Sequence, residues 1–331
     1  MSMKLGIVGS GMIVQEFLKV TPELKETEVT AICCTPRSEA TGREIADRCH
    51  IANVFLDYDD FLESGIDTVY IALPNHLHFE FARKALEAGK HVIVEKPFTS
   101  SYQEALQICS LARKKHLFLF EAITTIYLPN YRKIKESLPA LGHIRIVQCN
   151  YSQYSRRYDQ FKEGTVLPSF DPACSGGALM DLNIYNIHYV VGLFGKPENV
   201  EYFPNMEKGI DTSGILILNY RDFQCTCIGA KDCKAPIANL IQGDEGCISQ
   251  NTPANVCMNF EIIKNDGTSS VIDVNEYAHR MTNEFLAFEE MIQNNQFEKC
   301  YQLLEHSLTV CEVQDIARKK AGIVFPADTI S

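Results

Sequence analysis

Apolar residues in the first 120 positions occur as short continuous runs separated by helical patterns. Strands without internal alternation, joined by helices, are typical of a parallel sheet that is covered on both faces. The pattern therefore predicts an α/β domain with a doubly wound sheet over residues 1–121. The predicted strands are Leu5–Val8, Val29–Cys33, Val54–Leu56, Val69–Leu73, His91–Val94 and Leu117–Phe120, and the clearest helices are Glu39–Arg48, Phe79–Ala88, which Gly89 ends, and Gln103–Lys114.

The pattern changes after residue 121, where apolar and polar residues begin to alternate. Short connections at Tyr220–Phe223 and Gly243–Gly246 predict antiparallel hairpins. We expect residues 122–331 to form an α+β domain with a large, mostly antiparallel open sheet. Its predicted strands are Ile144–Tyr151, Val200–Phe203, Gly214–Tyr220, Phe223–Ala230, Ala235–Gln242, Gly246–Ser249 and Val256–Ile263, followed by helices at Asn283–Asn294 and Tyr301–Lys319.

A glycine-containing loop follows the first strand and opens the first helix. Glycines there permit a tight turn and let a pyrophosphate approach the backbone N–H groups at the helix N-terminus. The third glycine position of this dinucleotide fingerprint is occupied by Val14, and the alternative interpretation is a plain tight turn. In its place after the first strand, the loop predicts a Rossmann-type nucleotide site. The cofactor-binding candidates in it are Gly9, Ser10, Gly11, Met12 and Ile13.

The end of the second strand bears on the choice between NAD and NADP. Sites that prefer NAD usually place Asp or Glu there to bind the ribose hydroxyls. This chain instead has Thr35, Arg37 and Ser38, whose side chains suit a 2′-phosphate. We therefore expect NADP as the cofactor, with NAD as the alternative if Glu39 reaches the ribose.

Two further groups of residues lie at predicted carboxyl strand ends, where ligands bind in such sheets. They are Leu73-Pro74-Asn75 with His78, and Glu95-Lys96-Pro97. Together with the glycine loop and Gly176–Asp181, they give a motif order that resembles the Gfo/Idh/MocA oxidoreductases nearly end to end. Within this family, the spacing of Asp181 and Tyr185, four residues apart, most resembles that of the glucose–fructose oxidoreductase and dihydrodiol dehydrogenase branch.

The resemblance implies an NAD(P)-dependent oxidoreductase that transfers a hydride between nicotinamide and a sugar, polyol or diol. It implies that Lys96 contacts the nicotinamide ribose and the substrate hydroxyl, and that the peptide bond before Pro97 is cis. It also implies that residues 122–331 serve substrate binding and oligomerisation, with a homodimer or higher homo-oligomer built on the open sheet face.

A second group of candidate residues lies on a predicted helix from Gly177 to Phe194. At 3.6 residues per turn, Asp181, Tyr185 and His188 fall within an arc of about 60°. Oxidising an alcohol requires removal of the hydroxyl proton. We expect Tyr185 to act as the base, which requires a cation such as Lys96 to favour its phenolate. We expect Asp181 to orient the substrate hydroxyl or Lys96.

Substrate-binding candidates surround this stripe. His188 is either a substrate ligand or a core histidine, and both interpretations remain open. Tyr154 and Arg157 lie in a segment rich in Tyr and Arg, whose side chains suit sugar hydroxyls or acid groups, and the alternative interpretation is an ordinary surface loop.

Composition narrows the function classes. The net charge of −11 argues against nucleic-acid binding, and no apolar run is long enough to predict a membrane span. The 13 cysteines form no C-x-x-C pair, which favours reduced thiols in a cytoplasmic protein and predicts no metal site.

Two other functions fit the same fold. One is a non-catalytic regulator that senses a dinucleotide, and the other is a subunit that acts through assembly. A protein that only senses the dinucleotide has no need of Lys96, Asp181 and Tyr185 together. All three are present, which favours an enzyme.

Overall fold

The computed structural model describes residues 2–329 and divides into two compact units. The first unit ends at Ala122 and takes in a later segment, Met281–Leu308. The second unit spans Ile123–Arg280 and resumes at Thr309. The predicted division after residue 121 lies one residue before the end of the first segment, whereas the later return of the chain to the first unit was not predicted.

The first unit contains a six-stranded sheet in the order β3-β2-β1-β4-β5-β6, with every pair parallel. This order is that of a doubly wound dinucleotide-binding sheet, which confirms the predicted fold. The strands are β1 (Met3–Val8), β2 (Thr27–Cys33), β3 (Asn53–Phe55), β4 (Thr68–Ile71), β5 (His91–Glu95) and β6 (Leu119–Ala122). The helices are α1 (Met12–Leu18), α2 (Glu39–Cys49), α3 (Tyr58–Leu62), α4 (His78–Glu87) and α5 (Tyr102–Lys115).

Local sequence explains where these elements begin and end. Leu5 and Ile7 of β1 and Val69 of β4 are fully buried, as expected for strands covered on both faces. The helix α5 begins with a capping box in which Ser101 and Glu104 satisfy each other's backbone N–H groups. The short helix α3 was not predicted, because its five residues carry no helical periodicity of their own.

The second unit contains an eight-stranded sheet in the order β14-β13-β12-β11-β7-β10-β9-β8. The pair of β7 and β10 is parallel and the other neighbouring pairs are antiparallel, which confirms the predicted mostly antiparallel sheet. The strands are β7 (Ile144–Ser152), β8 (Asn199–Glu207), β9 (Ile210–Asn219), β10 (Gln224–Ala230), β11 (Ala238–Gly243), β12 (Gly246–Gln250), β13 (Phe260–Lys264) and β14 (Ser269–Ile272), the last of which was not predicted.

Three helices accompany this sheet: α6 (Pro129–Ser137), α7 (Arg156–Lys162) and α8 (Ile184–Phe194). The helix α8 packs on β7 and β10 and is preceded by a π-helical turn, Leu179–Asn183. The prediction of a regular α-helix from Gly177 onward is therefore wrong in its first turns. A π-turn is wider than an α-turn, and sequence periodicity does not reveal it.

Two helices close the chain, α9 (Thr282–Gln293) and α10 (Phe297–Lys320), as predicted. The helix α9 belongs to the first unit, where the Glu289 carboxylate accepts hydrogen bonds from the Thr27 hydroxyl at 2.6 Å and the Glu26 N–H at 3.0 Å. None of the helices within residues 2–329 combines the length and apolarity needed to cross a membrane.

Candidate active site

The glycine loop between β1 and α1 has one glycine that the backbone requires and one that leaves open space. Gly9 adopts φ +116°, and a Cβ there would lie 2.4 Å from the Ala72 carbonyl oxygen. A Cβ on Gly11 would meet no atom within 4 Å. Val14, at the third fingerprint position, is fully buried in the core. The loop therefore presents an unobstructed backbone surface, which fits the approach of a dinucleotide.

A cavity of about 370 Å³ opens beside this loop. Tyr58 and Phe81 form one wall, with ring centroids 4.5 Å apart and the Tyr58 hydroxyl donating to the Phe81 carbonyl at 2.9 Å. Sequence reasoning missed both, because they reach the cavity from α3 and the interior of α4. The predicted cofactor residues that line the cavity are Gly9, Ser10, Gly11, Thr35, Ser38, Leu73 and Pro74, joined by Cys33, Cys34, Leu56 and Leu77, which were not predicted.

The turn after β2 is organised around Thr35 and Ser38. Their hydroxyl oxygens lie 3.0 Å apart, and the Thr35 N–H donates to the Ser38 hydroxyl at 3.2 Å. Arg37 lies between them with an exposed side chain. The carboxylate of Glu39, the alternative ligand for the ribose, forms an ion pair with Arg43 at 2.7 Å. The turn thus combines two hydroxyls with one exposed guanidinium.

Side chains from neighbouring strands fix the segment Glu95–Pro97 after β5. The peptide bond between Lys96 and Pro97 is cis, as the resemblance implied. The Tyr70 hydroxyl donates to Glu95 Oε1 at 2.5 Å, and the Phe98 N–H donates to Glu121 Oε1 at 3.1 Å. Lys96 is half-buried at the centre of this rigid frame.

His78 was predicted as a cofactor ligand, and the structure places it fully inside the first unit. Its Nδ1 lies 2.8 Å from the Pro97 carbonyl oxygen and its Nε2 lies 2.8 Å from the Leu73 carbonyl oxygen. Burial lowers the pKa of the imidazole, and nearby Lys96 adds to the effect. The ring therefore joins the two loops that follow β4 and β5.

The remaining cofactor-binding candidates of the first unit differ in exposure: Met12 is exposed, while Ile13 and Asn75 are half-buried.

In the second unit, Asp181 lies within the π-turn and Tyr185 on the first turn of α8. The Asp181 side chain is 32% exposed, whereas Tyr185 is 8% exposed and His188 is fully buried. The Tyr185 ring lies 5.9 Å from that of Tyr151. The predicted stripe is therefore graded in depth, with Asp181 at its accessible end and His188 in the core.

The structure adds a cation that sequence reasoning missed. Lys231, which directly follows β10, is 2% exposed, and its Nζ lies 2.9 Å from Asp181 Oδ2. A lysine after a strand carries no local signal of burial, so nothing in the pattern distinguished it from a surface residue. Asp181 thus has an ion-pair partner within its own unit, in addition to the predicted roles toward substrate and Lys96.

Tyr154 and Arg157 lie at the surface near α7. The Tyr154 hydroxyl donates to Asp159 Oδ1 at 2.6 Å and lies 3.1 Å from Lys162 Nζ. Arg157 is exposed, and its backbone N–H donates to the hydroxyl of Ser155, which caps α7.

Thiols and potential metal ligands are dispersed. All thirteen cysteines are free, and most are buried. Across residues 2–329, no group of three or more His, Cys, Asp or Glu side chains is arranged to hold a metal ion.

A parallel sheet in dinucleotide-binding order, a glycine loop with open space and a lysine at a carboxyl strand end define a nucleotide-dependent oxidoreductase fold. Residues 3–123 match the model of the GFO_IDH_MocA family, described as an oxidoreductase family with an NAD-binding Rossmann fold. The chain belongs to this family, since a full-length relative shares more than 30% of its residues.

That relative is scyllo-inositol 2-dehydrogenase (NADP(+)) of Bacillus subtilis, 35% identical over 98% of this chain and 99% of its own length. Trans-1,2-dihydrobenzene-1,2-diol dehydrogenase of Danio rerio is 25% identical over 99% of this chain and 100% of its own. Among solved structures, the 3-ketoreductase KijD10 of Actinomadura kijaniata, in complex with NADP and TDP-benzene, superimposes with a TM-score of 0.86. It covers 96% of this chain and 98% of its own at 22% identity, which shows a shared fold.

Proposed function

We propose that this protein is an NADP-dependent dehydrogenase or reductase that interconverts a secondary alcohol and a ketone on a sugar, cyclic polyol or diol. The observation that carries the proposal is the full-length similarity to an NADP-dependent scyllo-inositol dehydrogenase. The glycine loop, the Arg37 turn and the Lys96 segment support it, because each lies at a carboxyl strand end of the first unit.

The NADP site is proposed on the first unit. Gly9, Ser10 and Gly11 present backbone that a pyrophosphate can approach, and the cavity walled by Tyr58 and Phe81 suits an aromatic base. Thr35, Arg37 and Ser38 offer two hydroxyls and a guanidinium to a 2′-phosphate, which favours NADP over NAD.

The chemistry divides between cofactor and protein. When bound, NADP supplies or accepts the hydride. Tyr185 takes the hydroxyl proton during oxidation and returns it during reduction. Lys96 favours the phenolate and holds the substrate oxygen, while Asp181 accepts a hydrogen bond from a substrate hydroxyl.

The test is turnover with purified protein and a panel of inositols, aldoses and vicinal diols, each with NADP and with NAD, followed by the absorbance of the reduced cofactor. We expect NADP-dependent oxidation of at least one cyclic polyol or sugar. Tight NADP binding by calorimetry without turnover of any panel member or ketone product would instead support the dinucleotide-sensing regulator.

We also propose a homodimer or higher oligomer formed through the outer face of the second unit's sheet, defined by Ile146, Phe203 and Ile215. These side chains are 44%, 63% and 44% exposed and come from β7, β8 and β9. An apolar face of this kind is a common site of self-association. The thirteen free thiols support a cytoplasmic location, where disulfides are rare.

A further inference from the structure

Lys231 is a buried ammonium in the second unit, outside the set of residues that the sequence motifs identify. Its side chain is 2% exposed, and its Nζ lies 2.9 Å from Asp181 Oδ2. Removing an ammonium group from water is costly unless a charged partner and further hydrogen bonds compensate. The chain therefore retains a cation at a position where an apolar residue would pack without this cost.

The surroundings of Lys231 fix it in one conformation. Its backbone N–H donates to the Thr212 carbonyl at 2.8 Å, and its own carbonyl accepts from the Ser155 N–H at 2.8 Å. Its ammonium donates to the Ser169 carbonyl at 2.5 Å and lies 4.2 Å from the centre of the Phe170 ring. The ammonium is thus held at a defined point beneath the π-turn.

Two other carboxylates have donors of their own: Asp211, which is close enough to interact with this ammonium, and Asp232, which follows Lys231 in the sequence. Asp211 Oδ2 accepts from the Tyr202 hydroxyl and the Leu179 N–H, both at 2.7 Å. Asp232 Oδ2 accepts from the Thr212 hydroxyl at 2.7 Å and from the Ser213 hydroxyl at 2.9 Å. Lys231 therefore forms its ion pair with Asp181, while its charge favours the ionised form of Asp211 from a longer distance.

Asp181 occupies the boundary between core and surface. Between Ala178 and Val191, Asp181 and Leu182 are the half-exposed residues and the rest are buried. The contact with Lys231 comes from the buried side, so it fixes the carboxylate while the side chain stays partly accessible. A substrate hydroxyl would meet a carboxylate of fixed orientation and fixed charge.

We propose that Lys231 is a positioning residue that holds Asp181 ionised and in a single orientation for the substrate. This role rests on the proposed function of Asp181 and deepens it, because the geometry of the substrate contact then depends on a cation from the end of β10. Lys231 itself touches no substrate.

Lys231→Met tests the proposal, because it keeps an unbranched side chain only one heavy atom shorter and removes the charge. We expect kcat to fall by about 10- to 100-fold, the range for loss of a hydrogen bond to a charged group. The acid limb of the kcat/KM profile should move to higher pH, because the Asp181 carboxylate loses its cation. Lys231→Arg should restore the position of the acid limb and part of kcat.

Lys208→Met is the matched control. The Lys208 ammonium also donates to a backbone carbonyl, that of Phe161, and lies 4.6 Å from the centre of the Phe161 ring. It has no carboxylate partner among the ion pairs of residues 2–329. We expect this variant to leave kcat and the pH profile unchanged.

A second measurement separates this proposal from the proposed function. Carbon NMR of the Asp181 carboxyl group gives its titration midpoint without turnover, and Lys231→Met should move that midpoint to higher pH. Should the wild-type protein oxidise no panel substrate, this shift still tests the pairing. Unchanged titration in a folded Lys231→Met protein would overturn the proposal, as would an unchanged acid limb. If Lys231→Met does not fold, the pH profile of kcat/KM and the Asp181 titration are measured on Lys231→Gln instead, with the same expected results.

Discussion

At the scale of single residues, the two units contribute different chemistry. The first offers Lys96, half-buried in a braced segment, and Arg37, exposed on a turn. The second offers Asp181 and Tyr185 at different depths, with Lys231 beneath them. Charged groups near the surface suit ligand binding, whereas a nearly buried phenol is shielded from solvent and suits proton exchange with a bound substrate.

Tyr185→Phe tests the proposed proton transfer. We expect turnover to fall by about 10²–10⁴-fold, the range for a positioned acid–base group, while NADP affinity stays unchanged. Lys96→Ala should reduce turnover by a similar factor. Steady-state kinetics and calorimetric NADP titration measure both effects. Undiminished turnover by Tyr185→Phe on the true substrate would rule out this tyrosine as the acid–base group.

Arg37→Ala tests the cofactor preference. Loss of a charge-assisted contact to the 2′-phosphate should weaken NADP binding by about 10- to 100-fold and leave NAD binding unchanged. Arg83→Ala is the control, since Arg83 is held on α4 by Glu80 and Glu87, each at 2.7 Å. Equal loss of NADP and NAD affinity in Arg37→Ala would contradict the assignment.

At the scale of elements, contacts between loops that follow different strands determine the site. His78 lies within 2.8 Å of the carbonyls of both Leu73 and Pro97. Glu121, at the end of β6, accepts the Phe98 N–H. The segment that carries Lys96 is therefore fixed from both neighbouring strands, as a preorganised site requires.

The π-turn of the second unit is fastened in a similar way by Asp211, which accepts the Leu179 N–H at 2.7 Å. Burial raises the pKa of Asp211 to about 6. Since this folded-state pKa lies above the ordinary value, the contribution of Asp211 to stability is complete below about pH 4 and is lost as the pH rises through 6.

Asp211→Asn keeps an acceptor for Leu179 and removes the charge. Relative to wild type, its free energy of unfolding should therefore increase by about 3 kcal/mol between pH 4 and pH 7, because each pKa unit corresponds to about 1.36 kcal/mol. Urea unfolding at several pH values measures this difference. Asp266→Asn should change with the opposite sign and only below about pH 4, because hydrogen bonds from Thr268 lower the pKa of that exposed carboxyl beneath its ordinary value. A pH-independent difference for Asp211→Asn would contradict the expectation.

At the scale of the whole molecule, the outer face of the second sheet is the surface that we propose for assembly. Phe203 and Ile215 are opposite each other on β8 and β9 and are both exposed. Phe203→Asp combined with Ile215→Asp should convert an oligomer to a monomer, because two charges cannot be buried in an apolar interface without partners.

Light scattering on a size-exclusion column measures the mass of each variant. Val324→Asp serves as the control, since Val324 is 64% exposed and lies after α10, outside the strands of the sheet. A wild-type monomer at micromolar concentration would contradict the proposed assembly.

Local sequence alone determined the order of the six strands and of the longer helices in the first unit, because apolar runs and helical periodicity are properties of neighbouring residues. It also located the glycine loop and Lys96, since both follow directly from a predicted strand. The antiparallel strands of the second unit were predicted for the same reason. Only β14 was missed, a four-residue strand of mostly exposed side chains.

Tertiary structure alone decided the contacts that make these residues a site. Lys231 meets Asp181, and Tyr58 joins Phe81, only because the sheets bring distant segments together. The π-turn that contains Asp181 and the return of α9 to the first unit likewise carry no local signal. Burial of a charge or a widened helical turn depends on what packs against the segment, and a one-dimensional pattern records only the segment itself.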